Sequence, residues 1–359
     1  MYDALTVESH RGPYTVSFSP RIAPDLFEAP EGRRAHFIID ERLPGLYPRE
    51  LSGPLGSPSV LLVEACEANK SLEAMPRHVA HLLAKAVRRD DVLFAVGGGI
   101  IQDIACFLSA TFLRGLDWHF VPTTLLAQAD SCIGSKSSIN AGDAKNILGT
   151  FTPPRSVRLS PEFLRTLTDL EIRSGIGEML KVHAIEAPGS FDRIAADYPR
   201  LASDRELLLG CIRRSLDIKR RLIELDEFDR GPRRVMNYGH TFGHALESAT
   251  AFAVPHGIAV TIGMDMANFI AARTGRMPAE HFQRMRPILA SNYSGFEDVS
   301  VPLEAFLSAL GKDKKNTRDM LGLILPDRDA RPCQVSVPND PAFRELCAEY
   351  FRDGIGRAR

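Results

Sequence analysis

Three histidines in two short strings, NYGHTFGHAL (237–246) and PHGIAV (255–260), are the residues best suited to chemistry in this chain. His240 and His244 are spaced i, i+4, so on a helix they share one face and aim into one site. That spacing suits two metal ligands, or one ligand and one acid/base. His256 sits between Pro255 and Gly257, at a turn entering another helix. A lone histidine is more often structural, but Glu178 in GEMLK supplies a carboxylate to accompany these three. Two or three imidazole nitrogens and one carboxylate, with a position left open, make a Lewis-acid zinc site. The glycines nearby allow close packing around it. Lys181 lies i, i+3 from Glu178 on the same helical face, a spacing that an ordinary surface ion pair explains equally well.

A second group of residues is suited to anions. The triplet Gly97, Gly98 and Gly99 closes an apolar run and precedes a helical pattern. Such a turn lets backbone approach a pyrophosphate, and the next helix presents free N–H groups to it. It lacks the G-x-G-x-x-G spacing, so a plain tight turn is an equal reading. Asp40 ends an earlier run, where a carboxylate accepts from a ribose or merely caps a turn. The stretch DSCIGSKSSINAGDAKNILG (130–149) carries Asp130, Lys136, Asn140, Lys145 and Asn146 among small residues. Lysines in such company approach phosphate or carboxylate closely, although a solvated loop has the same composition. Arg233 and Asn237 precede the histidine pair, and KDKK (312–315) is a late basic cluster that reads as solvated unless it folds back over a cleft.

The elements that must position these groups change character along the chain. AHFIID (35–40), SVLLVEA (59–65), DVLFAVGGG (91–99) and HFVPTT (119–124) read as buried strands, with helical patterns over 71–90 and 101–115 between them. Strand–helix alternation predicts an α/β domain with a parallel, Rossmann-like sheet. From about Ser160 the period is mostly helical. The division is placed at the prolines of TFTPPRSV: an α/β domain over 1–157, then a mostly α-helical domain over 158–359. The net charge of −1 and pI near 6.8 offer no basic field for nucleic acid or an acidic membrane. No apolar run reaches transmembrane length. The six cysteines are scattered, without a C-x-x-C pair, and the start is polar rather than signal-like. Reduced thiols in the cytoplasm are the reading that follows.

Taken in order, GGGIIQD, FLRG, VPTTLLAQADS, KNILGTF, GEMLK, DEFDRGPRRVMNYGHTFGHALE, PHGIAVTIGM and KDKK resemble the sugar phosphate cyclases, and among them the 3-dehydroquinate synthases. The resemblance runs from about residue 35 to 325. It implies NAD in the first domain, a divalent metal (zinc, or alternatively cobalt) in the second, a sugar phosphate substrate, and a cytoplasmic homodimer. By position Glu178, His240 and His256 match the metal ligands, and His244 a non-ligand near the substrate phosphate. Gly97, Gly98 and Gly99 match the pyrophosphate turn. Asp40, Glu67, Lys70, Asp103, Thr123, Thr124, Phe163 and Thr166 match other positions around the dinucleotide. Arg114, reaching across the dimer, joins Lys136, Asn146, His244 and Lys314 in the implied phosphate set. Lys181, Asp130, Asn237 and Lys145 match groups around the substrate hydroxyls and the nicotinamide. Lys219 and Arg233 match a pair that holds a substrate carboxylate, which favours 3-deoxy-D-arabino-heptulosonate 7-phosphate as substrate.

Several residues depart from the family pattern. Gln102 stands at a usual glycine, and Ser135, Ser137 and Ser138 alter the loop around Lys136. Thr168-Asp169 sits where a proline is common, and Ile258 replaces a glutamate after His256. These positions leave open a cyclase for another sugar phosphate, such as sedoheptulose 7-phosphate in a valiolone-type reaction, or an aminodehydroquinate-type synthase. A metal-dependent polyol dehydrogenase is the remaining alternative, although its substrates need no phosphate-binding cations.

Overall fold

The four apolar runs form neighbouring strands of one sheet in the computed structural model, which describes residues 3–142, 144–311, 319–352 and 355. The strands in chain order are β1 (Leu5–Val7), β2 (Tyr14–Phe18), β3 (Ala35–Asp40), β4 (Val60–Val63), β5 (Val92–Gly97), β6 (Asp117–Pro122), β7 (Lys136–Ala141), β8 (Ala144–Phe151) and β9 (Ser156–Leu159). Seven of them pair in the order β1-β2-β9-β6-β5-β3-β4, all parallel except β1 with β2. Every residue of β5 is buried, which is why the run is continuously apolar rather than alternating. Single turns α1 (Leu43–Leu46) and α2 (Ser52–Leu55), then α3 (Met75–Ala84) and α4 (Gly99–Thr111), connect the strands. β7 and β8 form a separate antiparallel hairpin, in a stretch whose composition suggests a solvated loop.

Parallel strands bring all their C-terminal ends to one edge. Asp40, the segment Glu67–Lys70, Gly97–Gly99 and Thr123–Thr124 follow β3, β4, β5 and β6 in turn, so strands far apart in sequence deliver them to a common rim. The chain steps from β3 outward to β4, then crosses β3 to reach β5 and goes on to β6 the other way. The rim between β3 and β5 is therefore the topological switch point, where open α/β sheets bind ligands.

Contacts divide the chain into Met1–Thr168 with Lys219–Asp229, and Asp169–Ile218 with Arg230–Arg359. The division thus falls after Thr168 rather than after residue 157. β9 joins the sheet beside β2 and β6, and Tyr47 Oη bonds the Phe163 carbonyl and Thr166 Oγ1, each at 2.8 Å, holding the segment that follows.

The second unit is mainly helical, as the sequence predicts. Its helices are α5 (Asp169–Glu186), α6 (Pro188–Leu201), the first part of α7 (Arg205–Leu225), α8 (His240–Ala249), α9 (His256–Arg273), α10 (Ala279–Asn292), α11 (Leu303–Gly311) and α12 (Pro341–Arg352). A hairpin of β10 (Met320–Pro326) and β11 (Pro332–Pro338) completes it. α9 is the central helix, buried without interruption from Gly257 to Ala271, and α5, α8 and α10 pack against it. A helix apolar on nearly all sides belongs inside a bundle.

Candidate active site

α5, α8 and α9 each contribute to one cluster in the second unit. His240 opens α8, His256 opens α9, and Glu178 with Lys181 lies on the buried stretch of α5. Glu178 Oε1 stands 3.5 Å from His240 Nε2 and 3.4 Å from His256 Nε2. Donors about 2.0–2.1 Å from one tetrahedral zinc lie about 3.4 Å from each other, so these three atoms already have the spacing of a shared ion. The His244 ring is 5.3 Å from that of His240 and 5.5 Å from that of His256, and ligand atoms of the three histidines fall within 4.8 Å of one another. His244 is the most exposed of the three, and Glu178 bridges the other two.

The far nitrogens of both rings are also engaged. His240 Nδ1 faces the Tyr238 carbonyl at 3.3 Å, and His256 Nδ1 faces Glu247 Oε2 at 3.2 Å. Such outer partners fix which nitrogen is left to bind a metal. Burial, with the Lys181 charge nearby, holds the His240 imidazole well below its usual range and keeps it neutral. Burial pulls His256 in the same direction, but Glu178 and Glu247 together overcome it and raise it to about 10. The carboxylates therefore favour positive charge here, and the donor set fits a divalent cation held by Glu178, His240 and His256. Sequence reasoning missed Glu247; its only signal was the position i, i+3 from His244 on the same helix.

Lys181 Nζ bonds Glu178 Oε2 at 2.5 Å, with both side chains 2% exposed. The i, i+3 spacing thus produces an ion pair, but a buried one at the cluster rather than a surface one. Asn237 donates to the Arg234 carbonyl at 3.0 Å, and Arg233 is buried in the short turn Pro232–Asn237 just before α8.

Close helix approach makes the cluster. A Cβ on Gly263 of α9 would lie 2.0 Å from the Gly239 carbonyl oxygen, and one on Gly257 would lie 1.9 Å from the Ser174 carbonyl oxygen of α5. Gly239 itself has φ +76°, a left-handed conformation that suits glycine. The glycines around the histidines are thus points where backbone meets backbone.

The first unit carries the glycine turn and the other residues expected around the dinucleotide. Gly98 leads into α4, and a Cβ there would meet Thr124 Cγ2 at 3.0 Å, while one on Gly99 would find nothing nearer than Ser131 Oγ at 4.0 Å. The Thr123 N–H donates to the Gly97 carbonyl at 3.0 Å, tying the two rim turns together. Asp40, 2% exposed, accepts from the Arg42 backbone and guanidinium. Lys70 Nζ reaches Asp103 Oδ2 and Asn146 Oδ1, each at 3.0 Å, and Asn140 bonds Glu67 Oε2 at 2.8 Å. Asn146, expected in the phosphate set, is therefore grouped here with residues expected around the dinucleotide. The Ser138 hydroxyl also bonds Asn146, at 3.0 Å. Burial raises the Asp103 carboxyl above its usual range despite Lys70.

Asp130 lies on a turn of π-helix, Ala127–Ser131. Its Oδ1 is 2.5 Å from Lys219 Nζ, and its carbonyl accepts from the same amine at 2.7 Å. Lys136 pairs with Asp229 at 2.9 Å, and Lys145 and Arg114 are exposed. Phe163 is 1% exposed in the hydrophobic core beneath Tyr47, and Thr166 is bonded to the Tyr47 hydroxyl. Lys314 lies outside the described residues.

A Rossmann-like sheet with a glycine turn at its switch point, followed by a helical unit with a histidine–carboxylate cluster, fits the sugar phosphate cyclases, whose fold iron-containing alcohol dehydrogenases share. Profiles of the N-terminal and C-terminal parts of 3-dehydroquinate synthase match residues 60–174 and 175–316. The chain is 34% identical over 331 residues to 3-dehydroquinate synthase of Xanthomonas oryzae pv. oryzae (strain PXO99A), covering 87% of this chain and 89% of that one. The protein belongs to the 3-dehydroquinate synthase family. The same fold occurs in a 2-deoxy-scyllo-inosose synthase complexed with carbaglucose-6-phosphate, NAD+ and Co2+ (TM-score 0.83, 21% identity, 98% of this chain and 100% of that chain covered). It occurs again in 2-epi-5-epi-valiolone synthase from Streptomyces hygroscopicus subsp. jinggangensis 5008 with NAD+ and Zn2+ bound (TM-score 0.81, 25% identity, 94% and 96% covered). Among the described residues no helix is long and apolar enough to cross a membrane.

Proposed function

We propose that this enzyme is an NAD- and zinc-dependent cyclase that converts 3-deoxy-D-arabino-heptulosonate 7-phosphate to 3-dehydroquinate with loss of phosphate. The observation that carries the reading is the cluster of Glu178, His240 and His256 at metal spacing, in a chain 34% identical to a 3-dehydroquinate synthase. Glu178, His240 and His256 would hold the metal, and Gly97–Gly99 with Asp40, Glu67, Lys70, Asp103, Thr123 and Thr124 would bind NAD. When bound, these groups supply a Lewis acid at a ring alcohol of the substrate and a reversible hydride acceptor for its carbon.

The chain's own residues bind, orient and move protons. Lys181 Nζ, buried beside Glu178, serves as the proton relay for that alcohol. Oxidation acidifies the neighbouring C–H. The phosphate then leaves with the electrons of its C–O bond, and one of its own oxygens takes the proton. Lys136, Asn146, His244, Lys314 and a partner's arginine at position 114 orient that phosphate and stabilise its charge. Asp130, Asn237 and Lys145 bind the hydroxyls, and Lys219 with Arg233 receives the carboxylate. Ring opening and an intramolecular aldol would then close the carbocycle, a step the chain's residues serve by holding both ends together. The homodimer is part of this proposal, supported by the exposure of Arg114. All six cysteines are free, which supports a reducing, cytoplasmic setting.

One observation favours a second reading. Lys219 is ion-paired with the Asp130 carboxylate and donates to the Asp130 carbonyl, which competes with a substrate carboxylate for its charge. A cyclase for a sugar phosphate without a carboxylate, such as sedoheptulose 7-phosphate, needs no cation there. Phosphate release from the heptulosonate, sedoheptulose 7-phosphate and glucose 6-phosphate separates the two readings. Turnover of sedoheptulose 7-phosphate alone overturns the first, and net accumulation of NADH would point to a polyol dehydrogenase instead.

A further inference from the structure

Gln102 stands in the first turn of α4, directly after the glycine turn, and is 5% exposed. Its planar amide is closed on one residue: Nε2 donates to the Ser131 carbonyl and Oε1 accepts from Ser131 Oγ, both at 2.6 Å. Ser131 is the last residue of the π-turn that carries Asp130. That turn is irregular, with the Cys132 N–H bonding the Ala127 carbonyl at 3.0 Å, the i, i+5 pattern of a π-helix. Such turns are short, are common at functional sites, and need support from outside their own backbone. A second glutamine supports the other end: Gln128 Nε2 donates to the Pro122 and Ser160 carbonyls at 3.0 and 2.8 Å.

Between these two anchors sits Asp130, held against Lys219 at 2.5 Å. A regular α-helical turn would rotate Asp130 by part of a turn and withdraw it from that lysine. We propose that Gln102 is a positioning residue: its paired bonds to Ser131 lock the π-turn and thereby set Asp130 against Lys219. The amide runs from α4, a regular helix, to the irregular π-turn, so the helix is the fixed support and the π-turn, with Asp130, is what it holds. This inference rests on the reading above that Asp130 and Lys219 serve the cyclase reaction.

Gln102→Met tests it, because methionine keeps the length and helix preference while removing both bonds; Ser131→Ala removes the hydroxyl alone. In Gln102→Met, hydrogen exchange at the amides of residues 127–132 is expected to quicken about tenfold. kcat should fall about tenfold with substrate KM raised, while the Kd for NAD stays within about threefold. The double variant should be no worse than Gln102→Met alone, because both changes break one unit. Unchanged exchange in 127–132 overturns the proposal, and so does faster exchange with kcat within about twofold of wild type, which marks a structural role only. Failure of the wild-type chain to release phosphate from any sugar phosphate sinks the functional reading and the catalytic consequence drawn here with it. Wild-type turnover that Gln102→Met leaves intact overturns this proposal alone.

Discussion

Replacing Gly263 by alanine tests whether backbone contact between α8 and α9 builds the metal cluster. The new Cβ would stand 2.0 Å from the Gly239 carbonyl oxygen and 2.8 Å from the Gly243 nitrogen. Real contacts do not fall below 3.0 Å, and backbone cannot rotate aside as a flexible side chain does, so the helices must part by about 1 Å, the difference between 3.0 and 2.0. Overpacking of this kind costs about 1–3 kcal/mol. At about 2–4 °C per kcal/mol for a unit of this size, the metal-free protein should melt several degrees lower. The functional effect should be larger in proportion. Gly239 directly precedes His240, and a displacement of about 1 Å is several times the ~0.2 Å tolerance of a metal–ligand distance. Zinc affinity, measured by competition with a chromophoric chelator, should therefore fall at least about tenfold. Gly189→Ala in α6 is the control: no atom lies within 4 Å of its Cβ, and alanine there gains helix preference worth up to about 1 kcal/mol. A Gly263→Ala variant that matches wild type in melting temperature and zinc affinity would refute the reasoning.

Glu247→Gln removes the charge facing His256 Nδ1 and should weaken zinc binding by about 10–100-fold with little change in melting temperature; equal affinity would remove Glu247 from the site. Glu178→Gln keeps the shape of a metal donor but lacks its charge, and both stoichiometric zinc binding and turnover should be lost; retention of either rejects the assignment. The last prediction concerns pH. Burial, with Arg214 nearby, lowers the His183 imidazole to about 4. As pH falls from 6.5, the unfolded chain takes up this proton while the folded chain resists until about 4, so stability present above 6.5 is lost through that window. The loss from this residue between pH 7 and 5 is about 2 kcal/mol. Urea unfolding of wild type should lose that much more stability over the interval than His183→Asn does; parallel slopes would exclude a buried neutral histidine.

The fold was legible where burial is complete. The run that became β5 is apolar without a break because a parallel strand inside the sheet is covered on both faces, β3 and β6 are largely so, and α9 is apolar for the same reason in a bundle; β4, at the sheet edge, is equally apolar although Leu62 is 47% exposed. β1, β2, β7 and β8 were missed because they are short or half-exposed, and β10 and β11 because they lie within an otherwise helical half. Phe163 and Thr166, matched to the dinucleotide by position, are engaged by Tyr47, a contact across the fold that no local pattern announces. In the site, the i, i+4 histidines and the i, i+3 pair of Glu178 and Lys181 could be read directly, since helical geometry alone relates them.

By itself, then, the amino-acid order determined the donor types, their helical faces and the family. Only the tertiary structure decided that Glu178 bridges His240 and His256, that Glu247 backs His256, and that Lys219 turns to Asp130. It also decided that the Gln102 amide closes on Ser131 of the π-turn. These are distances between residues on different elements, set by how closely α5, α8 and α9 approach and by which strand ends share a rim. Periodicity along a chain carries no measure of either.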